Sequence, residues 1–119
     1  MDNIEFREKL KLRLRQFVLD LIKICQGIPL SQESKIIINQ LLRSGSSVYA
    51  NYRAACRSRS KAEFYSKMSI VVEEADETEM WLDLLIESKI SNNEETKRLH
   101  RESLEILKIM ASARKNSQT

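Results

Sequence analysis

The side chains best equipped for chemistry are few and scattered along this chain. Histidine occurs once, at His100 beside Arg98 and Arg101, and cysteine twice, at Cys25 and Cys56. A structural metal site draws three or four Cys, His or carboxylate ligands at short spacing, and no Cys pair stands at such spacing. Neither a metal nor a disulfide is therefore expected. Each cysteine falls within an apolar helical pattern, where it packs as a small hydrophobe, and His100 is expected on the surface. No Gly-rich phosphate loop, nucleophile elbow or HExxH pair occurs. Carboxylate pairs between Glu73 and Glu87 are expected to be solvated or salt-bridged. The chain is thus expected to have no catalytic residue and no cofactor, and not to be an enzyme.

Charge is where the sequence is organised. The formal net charge of +3 conceals a segregation. From Ser34 to Ala62 stand Lys35, Arg43, Arg53, Arg57, Arg59 and Lys61 without one acid. From Glu63 to Glu87 eight acids, among them Glu77 and Asp83, face Lys67 as the single base. Three readings follow. The two segments neutralise one another inside one domain. Alternatively Arg53, Arg57, Arg59 and Lys61 cluster to contact the phosphates of RNA or DNA. In the third, the basic surface of one copy meets the acidic surface of the next, with Arg43, Gly45, Glu77, Trp81 and Asp83 as interface residues. Joining two different patches generates a ring or a filament rather than an isologous dimer.

These residues ride on helices. Leu10, Leu14, Phe17, Leu21 and Ile24 recur at steps of four and three, the spacing of one helical face. This predicts helix 1 from about Asn3 to Gln26, stopped at Gly27 by a left-handed cap and by Pro29. Ser31 is the next expected N-cap. Helix 2 carries Ile38, Leu41, Gly45, Val48, Tyr52 and Ala55, and is expected to reach Arg57. Its small middle, Ser44 to Ser47, costs helix propensity at Gly45 by about 1 kcal/mol, which implies a closely packed neighbour. Ser60 with Glu63 spells a capping box for helix 3, whose stripe Phe64, Met68, Val71, Ala75, Thr78, Leu82 and Leu85 is polar only at Thr78. Ser91 with Glu94, or Asn92 with Glu95, opens helix 4, which carries Leu99, Ile106, Leu107 and Met110.

A chain of 119 residues, 42% apolar, with two Gly and one Pro fits one domain of long helices rather than a sheet rich in turns. Four amphipathic helices on short connections bury their stripes together as an antiparallel up-down-up-down four-helix bundle. The expected fold class is all-α, one domain over 1–119, with 116–119 as a disordered tail. No apolar run approaches the roughly 20 residues that span a bilayer. Mixed charges follow Met1 to Phe6 where a signal peptide would be apolar, so a cytoplasmic protein is expected.

The run Leu41-Leu42-Arg43-Ser44-Gly45-Ser46-Ser47-Val48-Tyr49-Ala50-Asn51, then Ser58-Arg59-Ser60-Lys61-Ala62-Glu63-Phe64, resembles the bacterial four-helix bundle family of rRNA intervening-sequence proteins. Glu73, Glu74, Glu79 and Leu82 continue the likeness, which extends from Phe6 to Ile90. The chain is more distantly similar to accessory proteins of diversity-generating retroelements. Where many members carry an I-A-E-G-x-G-R stretch, this chain has Tyr52-Arg53-Ala54-Ala55-Cys56-Arg57, so helix 2 is expected to run on and to end more basic. The resemblance implies a homopentameric ring, and from the retroelement proteins a basic ring that binds a polymerase and nucleic acid. The sequence thus predicts a non-enzymatic ring that binds RNA or DNA. Its alternative is an oligomeric scaffold recruiting a polymerase-like or other protein partner.

Overall fold

The computed structural model describes residues 3–117. Within them the chain forms α1 (Asn3–Gln26), α2 (Gln32–Cys56), α3 (Lys61–Glu87) and α4 (Glu94–Asn116), with no strand among the described residues. The expected all-α bundle is what forms. Leu14 and Leu21 of α1, Leu41 and Val48 of α2, Met68 and Leu82 of α3, and Leu99 and Ile106 of α4 are at most 1% exposed. Burial of each such side chain contributes about 1.5 to 3 kcal/mol, and the three-four spacing read from the sequence is what brings them to one axis.

α2 packs on α1 and α3, α3 packs on α4, and α1 meets α4 to close the square. α1 and α3 lie on its diagonal. The α1–α4 seam is held partly by charge: Arg13 grips Glu102 through two bonds of 2.7 Å, and Arg98 reaches Asp20 at 3.0 Å. The molecule measures 45 × 23 × 18 Å. One end gathers the start of α1, the close of α2, the start of α3 and the close of α4, and the other end gathers the opposite termini.

The small middle of α2 does mark a close approach, and the neighbour is α1. Gly45 is buried, and a Cβ built there would collide with Leu21 Cδ1. Its small size thus serves packing within the protomer and not the copy-to-copy interface expected of it. At the same level Thr78 Oγ1 hydrogen-bonds the Glu74 carbonyl at 2.7 Å and Ser44 Oγ at 3.0 Å. The one polar residue in the α3 stripe is therefore satisfied inside the core, as buried hydroxyls must be.

The helix ends follow local chemistry, with three departures from expectation. Ser31 caps α2, exchanging bonds with Ser34 at 3.0 and 2.8 Å, and Ser60 caps α3 by accepting the Glu63 N–H at 3.0 Å. α4, however, is capped by Asn93, whose Oδ1 accepts the Thr96 N–H at 2.9 Å. Ser91 cannot cap because it is drawn inward: its N–H bonds the Leu85 carbonyl, and its hydroxyl lies 2.7 Å from Thr96 Oγ1. Gly27 has no positive φ, since the N–H groups of Gly27 and Ile28 tighten the end of α1 through bonds to the Ile24 and Cys25 carbonyls. The left-handed residue is Lys89, at φ 65° just beyond α3. At the C-terminus Asn116 closes α4 and Ser117 caps it, while 118 and 119 of the expected tail lie outside the described residues. Among the described residues no helix is long and apolar enough to cross a membrane.

Candidate nucleic-acid interface

The connection from α2 to α3 is short because both its ends are capped. Arg57 closes α2 with its N–H on the Ala54 and Ala55 carbonyls, Ser58 N–H adds a bond to Ala55, and Ser60 opens α3. Arg53 and Arg57 stand at a helix C-terminus, where the helix dipole favours cations. Arg53 is exposed, its guanidinium 5.6 Å from the Tyr49 ring. Arg57 is exposed and has no ion pair among the described residues. Arg59 is 91% exposed and reaches Glu63 only at 3.9 Å, a contact that screening in water reduces to little. Lys61 is the exposed first residue of α3. The four cations expected to act together thus share one end of the bundle.

The topology adds more from parts of the sequence that carry no such signal. Arg7 of α1 lies over the Phe64 ring at 5.1 Å, and Arg114 of α4 over Tyr65 at 5.3 Å. Lys108 and Lys115 stand in the last turns of the same helix. These positions are some fifty residues or more from Arg57, so only the antiparallel packing of α1 and α4 into the bundle reveals them. In the first nine residues of α1, the last turns of α2 and α4 and the first turns of α3, the described acids are Glu5, Glu8 and Glu63. The opposite end is different in kind. There the acids Asp20, Glu33, Asp83, Glu87, Glu94 and Glu95 outnumber by one the bases Lys23, Lys35, Lys89, Lys97 and Arg98. Charge is polarised along the long axis.

A cleft of about 640 Å³ opens at the cationic end, with Phe6, Tyr52 and Phe64 as its apolar lining and Arg7, Arg59 and Lys61 among its polar residues. Ser58 also lines it, and the Ser58 hydroxyl is shielded from solvent without a hydrogen-bond partner among the described residues. Burial pushes the Tyr52 phenol well above its ordinary range.

The residues expected at an interface between copies lie elsewhere. Arg43 donates to Glu74 at 2.9 Å and to Glu77 at 2.5 Å, across α2 and α3 of one protomer. That hydrogen bond from Arg43, more than the one from Trp81, holds the Glu77 carboxyl below its usual range. Trp81 is half-buried against the core, with its indole N–H 3.3 Å from the same Glu77 oxygen. Asp83 is one turn from Glu79, which meets His100 at 2.7 Å. Mid-bundle, then, the opposed charges of α2 and α3 neutralise one another, and at the α2 terminus they do not. Cys25 and Cys56 are free thiols at opposite ends.

An antiparallel four-helix bundle with one strongly cationic end is the class that fold and surface define. Residues 9–112 match the model of a family described as 23S rRNA-intervening sequence protein, and the chain belongs to that family. It is similar to a solved structure of a protein with unknown function from the S23 ribosomal protein family of Bacteroides thetaiotaomicron VPI-5482. The two share 33% identity at a TM-score of 0.79, over 88% of this chain and 97% of that one. Neither description names a catalytic activity. Comparison with curated proteins gives no match.

Proposed function

We propose that this protein is a non-enzymatic helical bundle that assembles into a ring and binds RNA or DNA through the phosphates met by its cationic end. The observation that carries the reading is the division of the charges. Arg43 is neutralised by α3 acids within the protomer, whereas Arg57 has no acidic partner among the described residues. Guanidinium groups not neutralised by nearby acids release counterions when they meet phosphates, which drives association. The aromatic rings beneath Arg7, Arg53 and Arg114 hold those cations outward without neutralising them.

Assembly is supported by two exposed stripes of unlike character. Leu12, Leu19 and Ile22 alternate with exposed Arg15 and Lys23 on α1, and Met80 and Leu84 stand with exposed Glu73, Asp76 and Glu87 on α3. A basic apolar stripe fits an acidic one on the next copy, and such a contact is heterologous. Cyclic symmetry would then repeat the cationic end on one face of the ring, with five copies as the family resemblance implies.

The test uses the double substitution Arg57→Gln with Arg59→Gln and two measurements. RNA binding should weaken, and its log-log salt slope should flatten by about 0.9 per lost contact on duplex or about 0.7 on single strands. Oligomer mass should stay unchanged. Dissociation of the oligomer would assign both residues to assembly instead. Wild-type ring with no RNA or DNA binding even at about 50 mM salt, where electrostatic association is strong, would leave the scaffold reading in its place.

A further inference from the structure

Away from the cationic end, three side chains with metal-binding atoms converge on the α3–α4 seam. Glu79 and Asp83 are one helical turn apart and so project from the same face of α3. His100 reaches them from α4. The ligand atoms of the three lie within 4.8 Å of one another, and His100 Nε2 is 2.7 Å from Glu79 Oε2. The imidazole and the Glu79 carboxylate are about three-quarters buried, at 21% and 24% side-chain exposure. Asp83 has no hydrogen bond or ion pair among the described residues, and Glu79 has no cationic partner there besides His100. Two carboxylates thus face one imidazole with no Lys or Arg to neutralise them, an arrangement that a divalent cation completes.

We propose that Glu79, Asp83 and His100 form a binding site for a first-row divalent metal ion of the zinc class. One imidazole and two carboxylates are a donor set that zinc accepts, and magnesium or calcium, which take oxygen donors, fit it less well. Bonds of about 2.0 to 2.2 Å in a tetrahedral site hold ligand atoms roughly 3.4 Å apart. The Glu79–His100 pair, at 2.7 Å, therefore has to open slightly by side-chain rotation. The solvent side leaves the fourth position to water. The ion would clip α3 to α4 in place of the contact between His100 Nε2 and Glu79 Oε2.

The probe is zinc chloride added to the intact, tag-free protein, followed by calorimetry and by imidazole NMR. His100 is the sole histidine, so its ring signals report the site without ambiguity. One ion per chain should bind with a dissociation constant of about 10 µM or tighter. The His100 resonances should shift with the same stoichiometry, and the melting temperature should rise and return on chelation. His100→Gln and Asp83→Asn should each weaken binding by at least about tenfold, while Glu5→Gln, in the first turn of α1 at the other end of the bundle, leaves it intact. Binding weaker than about 100 µM, or tight binding that His100→Gln preserves and the imidazole signals ignore, as at a cysteine thiol, overturns the proposal.

Discussion

Two glycines with opposite surroundings give opposite predictions. Gly45 lies beneath Leu21, so Gly45→Leu should destabilise the fold by about 1 to 3 kcal/mol through overpacking, although leucine is the better helix former. Pairing Gly45→Ala with Leu21→Val should recover part of the loss, a coupling of at least about 0.5 kcal/mol in a double-mutant cycle. Gly27 is exposed, its would-be Cβ meets nothing nearer than 3.6 Å, and its φ is not positive. Gly27→Ala should therefore stabilise by about 0.4 to 1 kcal/mol, because it restricts the unfolded chain. Lys89 reverses that logic. A side chain held at φ 65° is strained by about 1 kcal/mol, so Lys89→Gly should raise the melting temperature, and a fall would show that the turn depends on the lysine itself. Glu77 supplies a pH test. Its carboxyl is held below the ordinary range in the fold by Arg43, so its stabilising contribution is complete above the unfolded carboxylate range and is lost as pH falls through the folded value. Thermal melts between pH 7 and 3 should accordingly show a shallower acid loss for Glu77→Gln than for the wild-type chain.

At the level of helices, α4 distinguishes what the sequence could say from what it could not. Three successive residues, Ser91, Asn92 and Asn93, all have capping chemistry, and local propensity does not rank them. The choice falls to Asn93 because the left-handed turn at Lys89 buries Ser91 under α3. Asn93→Ala should hence cost about 1 kcal/mol in denaturant unfolding, with Asn92→Ala close to neutral. Where a single candidate existed, as at Ser31 and Ser60, the local code sufficed. The four stripes were legible for the same reason: each apolar side chain obeys its own helix's period whatever its partner. Packing partners were not legible. Gly45 announced a close approach, yet its meeting with Leu21 depends on the depth at which α1 crosses α2. Likewise Arg53, Arg57, Arg59 and Lys61 could be grouped because they are neighbours in sequence, whereas Arg7, Arg114 and Lys115 join them only once the chain has folded back twice. His100 was read as an ordinary surface residue because its companions, Glu79 and Asp83, belong to another helix.

For the molecule as a whole, the segregation of charge along 45 Å and the unlike stripes of α1 and α3 lead to a prediction of size. Light scattering after gel filtration should give about five times 13.9 kDa, and a monomer at micromolar concentration would exclude the ring. Raising the ionic strength should weaken nucleic-acid binding far more than assembly, since exposed charges are screened over roughly 10 Å at 0.1 M salt while apolar contacts are not. The two thiols make that separation measurable without engineering. Cys25 is buried, and desolvation pushes its thiol up to about 11, whereas Cys56 is half-buried at the cationic end. A maleimide dye at neutral pH should therefore attach at Cys56 alone, giving each protomer one native reporter beside the cleft, whose polarisation registers an arriving strand while the ring's mass is read separately.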